Sequence, residues 1–307
     1  MMQIGLDVGG TKIEAAALDA GGAIVARQRV PNPGGYDSAI AAIVALVAEI
    51  ERAVGETGTV GVGVPGAPDP RTGLMRNANA EFLNGRRFGH DLGIALGRPV
   101  RIANDANCMV LSEAIDGAAE GARVVFGVIV GTGVGGGLTV SGALIEGANG
   151  LGGEWGHVPL PWLPADVAPL DCWCGRAGCL ETMISGTGFQ RDYARRSGRH
   201  LTGAEIVTAA DAGDRHADDA LEAYAQRLGR ALAMVANILD PDVFVLAGGM
   251  SNVAALYPRL PAIVADHAFG GAWQGRIVPA RWGDSSGVRG AARLWPAGTV
   301  PSGSAFV

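Results

Sequence analysis

Three cysteines, Cys172, Cys174 and Cys179, fall within eight residues in the run DCWCGRAGCLE, and the chain holds only one more, Cys108. A short way upstream, GGEWGH supplies His157. Three thiolates and one imidazole make a complete tetrahedral zinc set, and with no position left for water such a site is structural. Disulfides are disfavoured by the Cys-x-Cys spacing and by a reducing compartment. Free buried thiols remain an alternative reading, and a catalytic thiol lacks a visible His–Asp partnership. A metal here would pin EWGH against GCLE and bring Glu154 and Glu181 to one place. Two carboxylates suit the recognition of sugar hydroxyls, each of which must be paired when buried.

A second group of residues could move a proton. RIANDANCM places Asn104 and Asp105 where a strand gives way to a helix. Both types cap helices, which is one reading. The other is chemical: Asp105 accepts the proton of an alcohol attacking a phosphoryl group, and Asn104 holds a sugar by its amide. The two are compatible, because sites at the carboxyl ends of strands are common in open α/β sheets.

Glycine turns form the third group. DVGGTK contains Asp7, Gly9, Gly10, Thr11 and Lys12; GTGVGGG contains Gly131, Thr132, Gly133 and Gly135; LAGGMS contains Gly248 and Gly249. Bare backbone amides at such turns can face a phosphate, the two threonines add donors, and Asp7 can orient a hydrated Mg2+. Neither of the first two turns opens a helix, as a P-loop or a Rossmann fingerprint would. Each alone reads equally well as a hairpin.

The elements that must position these groups follow from the apolar pattern. MQIGLDVGG, KIEAAALD and AIVARQRV read as three strands joined by turns. In DSAIAAIVALVAEIERAVG the residues Ile40, Ile43, Val44, Val47, Ile50 and Val54 recur at helical spacing, with Asp37 or Ser38 as cap and Gly55 as stop. TVGVGVPG is a buried strand, VRIAND another, and ANCMVLSEAIDGA a helix. From Val124 a second, similar unit starts with VVFGVIV, a glycine turn and a strand. It continues through an irregular stretch to a long helix with Leu221, Tyr224, Leu228, Leu232, Val235 and Leu239 on one face, and ends with the strand PDVFVLA. The predicted division is a small α/β domain over 1–117, a large one over 118–285, a helix over about 286–296 packing back on the first, and a flexible tail over 297–307.

The totals exclude whole classes. The 307 residues carry a net charge of −6 and 49 glycines. An acidic chain has no basic stripe for nucleic acid and no attraction to anionic lipid. No apolar run spans a bilayer, and the first residues lack the form of a secretion signal, so the expected compartment is the cytoplasm.

Together and in this order, DVGGTK, Pro65–Gly66, NDAN, GTGVGGG, GEWGH, CWCGRAGCLE and LAGGMS resemble the ROK family of sugar kinases, over nearly the whole chain to about Pro296. The resemblance implies an actin-like, hexokinase-like fold of two α/β domains around a cleft. It implies ATP and Mg2+, a structural Zn2+ held by His157, Cys172, Cys174 and Cys179, a sugar substrate and a homodimer. It makes Asp105 the catalytic base and Asn104, Glu154, His157 and Glu181 the sugar contacts, joined by Gly66 and Asn79. The glycine turns become the ATP phosphate loops. NANAEFLNG, HVPLPW, ISGTGF, NILDPDV and GDSSGVRGAA are most similar to bacterial fructokinases, with N-acetylglucosamine kinases as the alternative; both phosphorylate a 6-hydroxyl. Repressors of the family carry a DNA-binding winged helix ahead of the first strand, for which the numbering here leaves no room. A zinc-stabilised sugar-binding module without catalysis is the third reading.

Overall fold

The computed structural model describes residues 1–163 and 168–299. It divides into two compact units. The first comprises Met1–Glu120, Gly142–Gly152 and the residues from Asp284 onward; the second comprises Gly121–Ser141 and Gly153–Gly283. Most of the expected tail, residues 300–307, lies outside the described residues.

The first unit is built on β1 (Gln3–Val8), β2 (Lys12–Leu18), β3 (Ile24–Pro31), α1 (Tyr36–Val54) and β4 (Thr59–Val64). It continues with the short β5 (Ala67–Pro68) and β6 (Met75–Arg76), α2 (Phe88–Leu96), β7 (Val100–Asn104) and α3 (Asp105–Asp116). Its sheet has the order β3-β2-β1-β4-β7. The pairs β1–β2 and β2–β3 are antiparallel, whereas β1–β4 and β4–β7 are parallel. Helix α1 starts at Tyr36, before either expected cap. Its N-cap is Gly35, without a side-chain bond, and the Ser38 hydroxyl donates back to the Gly35 carbonyl at 3.1 Å. Gly55 ends it in the left-handed region at φ 78°.

The second unit begins with β8 (Val124–Val130) and β9 (Val134–Val140); the short β10 (Ala143–Leu144) follows in the 142–152 stretch of the first unit. Then come α4 (Glu181–Ile184), α5 (Gly186–Ser197), α6 (Gly203–Asp211), α7 (Arg215–Leu239), β11 (Val243–Ala247), α8 (Leu260–His267) and β12 (Arg276–Pro279). Here β8–β9 is antiparallel and β8–β11 and β11–β12 are parallel. Helix α7 starts at Arg215, six residues ahead of the first stripe residue Leu221, because Asp214 caps the amides of His216 and Ala217. Its buried face includes Leu221, Tyr224, Leu228, Leu232 and Val235.

The last helix, α9 (Ser286–Arg293), belongs to the first unit and explains GDSSGVRGAA. A Cβ at Gly5 would lie 1.9 Å from the Val288 carbonyl oxygen, and one at Gly61 1.9 Å from that of Ala291. A Cβ at Gly290 would sit 1.6 Å from the Cys108 carbonyl oxygen. Glycine is obligatory at all three places because the backbones of α9, the sheet and α3 touch. Buried polar pairs lock the arrangement: the Ser286 hydroxyl donates to Glu113 at 2.7 Å, and Arg289 and Arg293 both reach Asp116 at 2.9 Å. Helix α3, whose first residue is Asp105, is therefore held from behind.

Candidate active site

In the first unit the polar groups gather where β4 and β7 end. Asn104 caps α3, its Oδ1 accepting from the Ala106 amide at 2.9 Å; Asp105 Oδ1 accepts from the same amide at 2.8 Å. The Asn104 amide nitrogen donates to the Gly66 carbonyl at 3.3 Å. Asn104 is thus partly spent on fixing backbone, while the side chain of Asp105 is exposed at the helix start. Gly66 has φ 87°, and a Cβ there would meet the Arg76 carbonyl at 2.5 Å and the Ala78 amide at 2.7 Å. Asn84, which sequence reasoning passed over, clamps the same stretch. Its Oδ1 accepts from the Ala78 amide at 2.9 Å and its Nδ2 donates to the Ala78 carbonyl at 3.0 Å. Asn77 is left-handed at φ 56°, an unusual state for a residue with a side chain. Asn77 and Asn79 are exposed on either side of buried Ala78.

The first glycine turn closes with the Gly9 amide on the Lys12 carbonyl at 3.0 Å. Asp7 sits opposite Glu14 across the β1–β2 ladder. Burial, and then Glu14, push the Asp7 carboxyl above its usual range against the pull of Lys12 and Arg29. Glu14 is itself matched by Arg27 at 2.6 Å and Arg29 at 2.8 Å. A hydrated divalent cation beside Asp7 would supply the charge its surroundings lack, so the residue fits a Mg2+ role.

In the second unit the GTGVGGG turn is bolted to the start of α5. The Gly186 amide donates to the Gly131 carbonyl at 2.7 Å, and the Thr187 hydroxyl to the Thr132 carbonyl at 2.9 Å. Ser185 caps the helix through the Gly188 amide at 3.0 Å. Beside them lies a cavity of about 600 Å³, with Gly131, Thr132, Gly186 and Thr187 at one end and Val207, Met250 and Val253 among its apolar lining. Gly248 is forced by its φ of 82° and by the Val130 carbonyl 2.7 Å from a would-be Cβ. Gly10, Gly131 and Gly249 are different. None has positive φ, and a Cβ on any of them would meet no protein atom within 4 Å. Neither strain nor packing requires glycine there, and the bare amides leave room for the close approach of a ligand. Gln190, Val207 and Asn252, also in the lining, carried no sequence signal of their own; Gly186 and Thr187 lay in ISGTGF.

The donor atoms of His157, Cys172, Cys174 and Cys179 all lie within 4.8 Å of one another. The Cys174 and Cys179 sulfurs are 3.6 Å apart, and His157 Nδ1 is 3.7 Å from the Cys172 sulfur. A tetrahedral ion with Zn–S bonds near 2.3 Å spaces its sulfurs about 3.8 Å apart, so the set fits zinc. The Arg176 amide draws the Cys174 thiol down, whereas burial pushes Cys179 up to about 12. The local fold explains the convergence. A tight turn runs from the Cys172 amide to the Arg176 carbonyl at 2.7 Å, and Pro159 bridges to Cys179 as an antiparallel pair.

Trp173, between the first two cysteines, packs edge-on against His157 at 5.0 Å and donates to Glu181 Oε1 at 2.5 Å. Glu181 Oε2 accepts from the Val134 amide at 3.1 Å. Glu181 therefore ties the cysteine loop to the glycine turn, with acceptor capacity remaining on both oxygens. Glu154 stands at the entry of a 3-10 turn over Trp155–His157.

Comparison with known proteins comes down to one family. The ROK family profile matches residues 3–297. The chain is 40% identical over 299 residues to an N-acetyl-D-glucosamine kinase of Photobacterium profundum, covering 95% of this chain and 99% of that protein. It is equally similar to one from Pectobacterium atrosepticum, covering 98% of that protein. Among solved structures, a ROK hexokinase from Thermus thermophilus superposes with a TM-score of 0.84 at 34% identity, covering 95% of this chain and 97% of the other. A ROK glucokinase from Streptomyces griseus in complex with glucose and AMPPNP gives 0.77 at 29%, covering 96% and 99%.

Proposed function

The chain belongs to the ROK family, and from that premise we propose that it is an ATP-dependent hexose kinase whose acceptor is the 6-hydroxyl of N-acetyl-D-glucosamine. The observation that carries the kinase reading is the glycine turn bolted to the start of α5 beside a 600 Å³ cavity. Its open glycines offer amides, and the helix terminus adds its positive dipole end, which together suit a nucleotide phosphate. The acceptor rests on the full-length 40% identity to N-acetyl-D-glucosamine kinases.

In this reading Asp105 takes the proton of the attacking hydroxyl. On the first unit, sugar-binding roles fall to Asn104, Gly66 and Asn79; on the second, they fall to Glu154, His157 and Glu181. Glycines 9, 10, 131, 133, 135, 248 and 249, with Thr11, Lys12 and Thr132, bear on the nucleotide phosphates, and Asp7 would hold hydrated Mg2+. The metal of the cysteine cluster is structural: all four donors are protein side chains, so it orients His157 and Glu181 rather than activating water. Reduced thiols suit the cytoplasm. Among the described residues no helix is long and apolar enough to cross a membrane. A homodimer is expected, which light scattering tests.

A second acceptor, D-fructose, rests on the resemblance of NANAEFLNG, HVPLPW, ISGTGF, NILDPDV and GDSSGVRGAA to bacterial fructokinases, against which stand the full-length relatives. Coupled ADP release with N-acetyl-D-glucosamine, fructose, mannose, glucose and N-acetylmannosamine decides between them. The highest kcat/KM with N-acetyl-D-glucosamine supports the leading reading; the highest with fructose replaces it and leaves base, cavity and metal site in their roles.

A further inference from the structure

A second cavity of about 500 Å³ lies in the second unit, distinct in its lining from the one beside the glycine turn. Four arginines line it, Arg191, Arg195, Arg196 and Arg227, together with the apolar side chains of Leu170 and Met183. Among the described residues its lining holds a single carboxylate, Asp192. Asp192 is buried and already shared: Arg195 reaches it at 2.9 Å, Arg196 at 3.1 Å and Arg227 at 3.2 Å. Arg191 is not on Asp192: it donates to the carbonyl of Thr182, which lines the same cavity, at 3.2 Å.

Among the described lining residues one carboxylate faces four guanidiniums, and the imbalance is not all in open water. The Arg227 side chain is 16% exposed and that of Arg196 28%. Burial, and then its neighbouring arginines, pull Arg227 below its usual range in spite of Asp192. Like charges held together at the mouth of a cavity repel unless an anion joins them. Guanidinium forks match the oxygens of a phosphate in pairs, which a spherical anion cannot exploit. The volume is that of a small-molecule site and exceeds the needs of a bare phosphate. Its apolar lining residues, Leu170 and Met183, suit a compact carbon body.

We propose that this arginine-lined cavity binds a phosphate monoester of a small polyol, at a site separate from the nucleotide cavity. Its place gives such a ligand a route to the chemistry. Through Arg191 and Thr182 it touches α4, whose first residue is Glu181.

The test is calorimetric titration of the full-length protein with inorganic phosphate and, separately, with glucose 6-phosphate, under saturating ATP analogue. The wild type is compared with the Arg191→Gln/Arg195→Gln double variant. Both positions are exposed, and melting temperature and kinase turnover serve as controls. The expected result is binding in the wild type that weakens by about tenfold or more in the variant, with kcat retained. Tighter binding of glucose 6-phosphate than of phosphate assigns the polyol ester; equal affinities assign free phosphate and correct the ligand's size. Affinity unchanged in the double variant overturns the site. So does a variant that loses its oligomeric state without losing phosphate binding, since the arginines would then serve a subunit contact. A failure of the kinase reading shows separately, as absent turnover in the wild type.

Discussion

The two units share a strand plan and use it differently. In each, an antiparallel pair joined by a glycine turn, β1–β2 or β8–β9, continues into two parallel strands. In the first unit the groups around that plan are packed tightly: α9 lies against the sheet at glycines, and Gly66, Asn84 and Asn104 fix one short stretch of backbone. In the second unit the turn opens onto a cavity, and the long insertion between β9 and α5 carries the cysteine cluster. The shared sheet supplies rigidity, and the segments added at its strand ends supply chemistry. In the proposed function the first unit fixes a carboxylate, while the second gives the nucleotide its cavity and the metal its four donors.

That contrast can be broken at several points. The largest effect is expected at Asp105. Asp105→Asn should lower kcat roughly 10²–10⁴-fold, the usual worth of a general base, while nucleotide affinity and melting temperature hold. Near-normal turnover would move the base elsewhere. Next comes the metal. Cys179→Ser, or chelation, should weaken sugar binding about 10–100-fold and raise hydrogen exchange across 154–181 before nucleotide binding suffers. Equal damage to both ligands would erase the distinction between the cluster and the cavity.

Smaller and paired are two glycine variants. Gly248→Ala and Gly66→Ala each place a Cβ at positive φ within 2.7 Å or less of backbone. Each should cost about 1–2 kcal/mol for the left-handed conformation alone. KM for ATP should rise in the first and KM for sugar in the second; the reverse pattern would exchange the roles of the two regions. The smallest effect is expected for Asn84→Ala. Losing about 1 kcal/mol of hydrogen bonding should raise sugar KM several-fold with kcat nearly constant, and a kcat loss alone would contradict its positioning role.

Much of this was legible in the sequence because spacing alone carried it. Two of the four cluster side chains, Cys172 and Cys174, sit in one tight turn and Cys179 follows five residues later, so local geometry brings the three together. The strand–turn–strand pattern is likewise local. Helix α1 starts earlier than its sequence announces because Gly35, with no side chain, takes the cap that Asp37 or Ser38 would have filled. The cavity was less legible. Gln190, Val207 and Asn252 come from separate elements and meet only through the packing of the second unit. Trp173 and Asn84 act by what they touch, which neither residue type nor spacing states. The acceptor sugar is harder still, since a few kcal/mol in one pocket separates hexoses.

The central claim is that this chain phosphorylates a free hexose with Asp105 as base. Its most direct test is coupled ADP release from ATP with the five-sugar panel, run on the metal-loaded wild type beside Asp105→Asn. Sugar-dependent turnover, greatest with N-acetyl-D-glucosamine and lost in the variant, is the predicted result. No turnover with any hexose, from folded protein that still binds ATP, would contradict the account and leave a sugar-binding protein without catalysis.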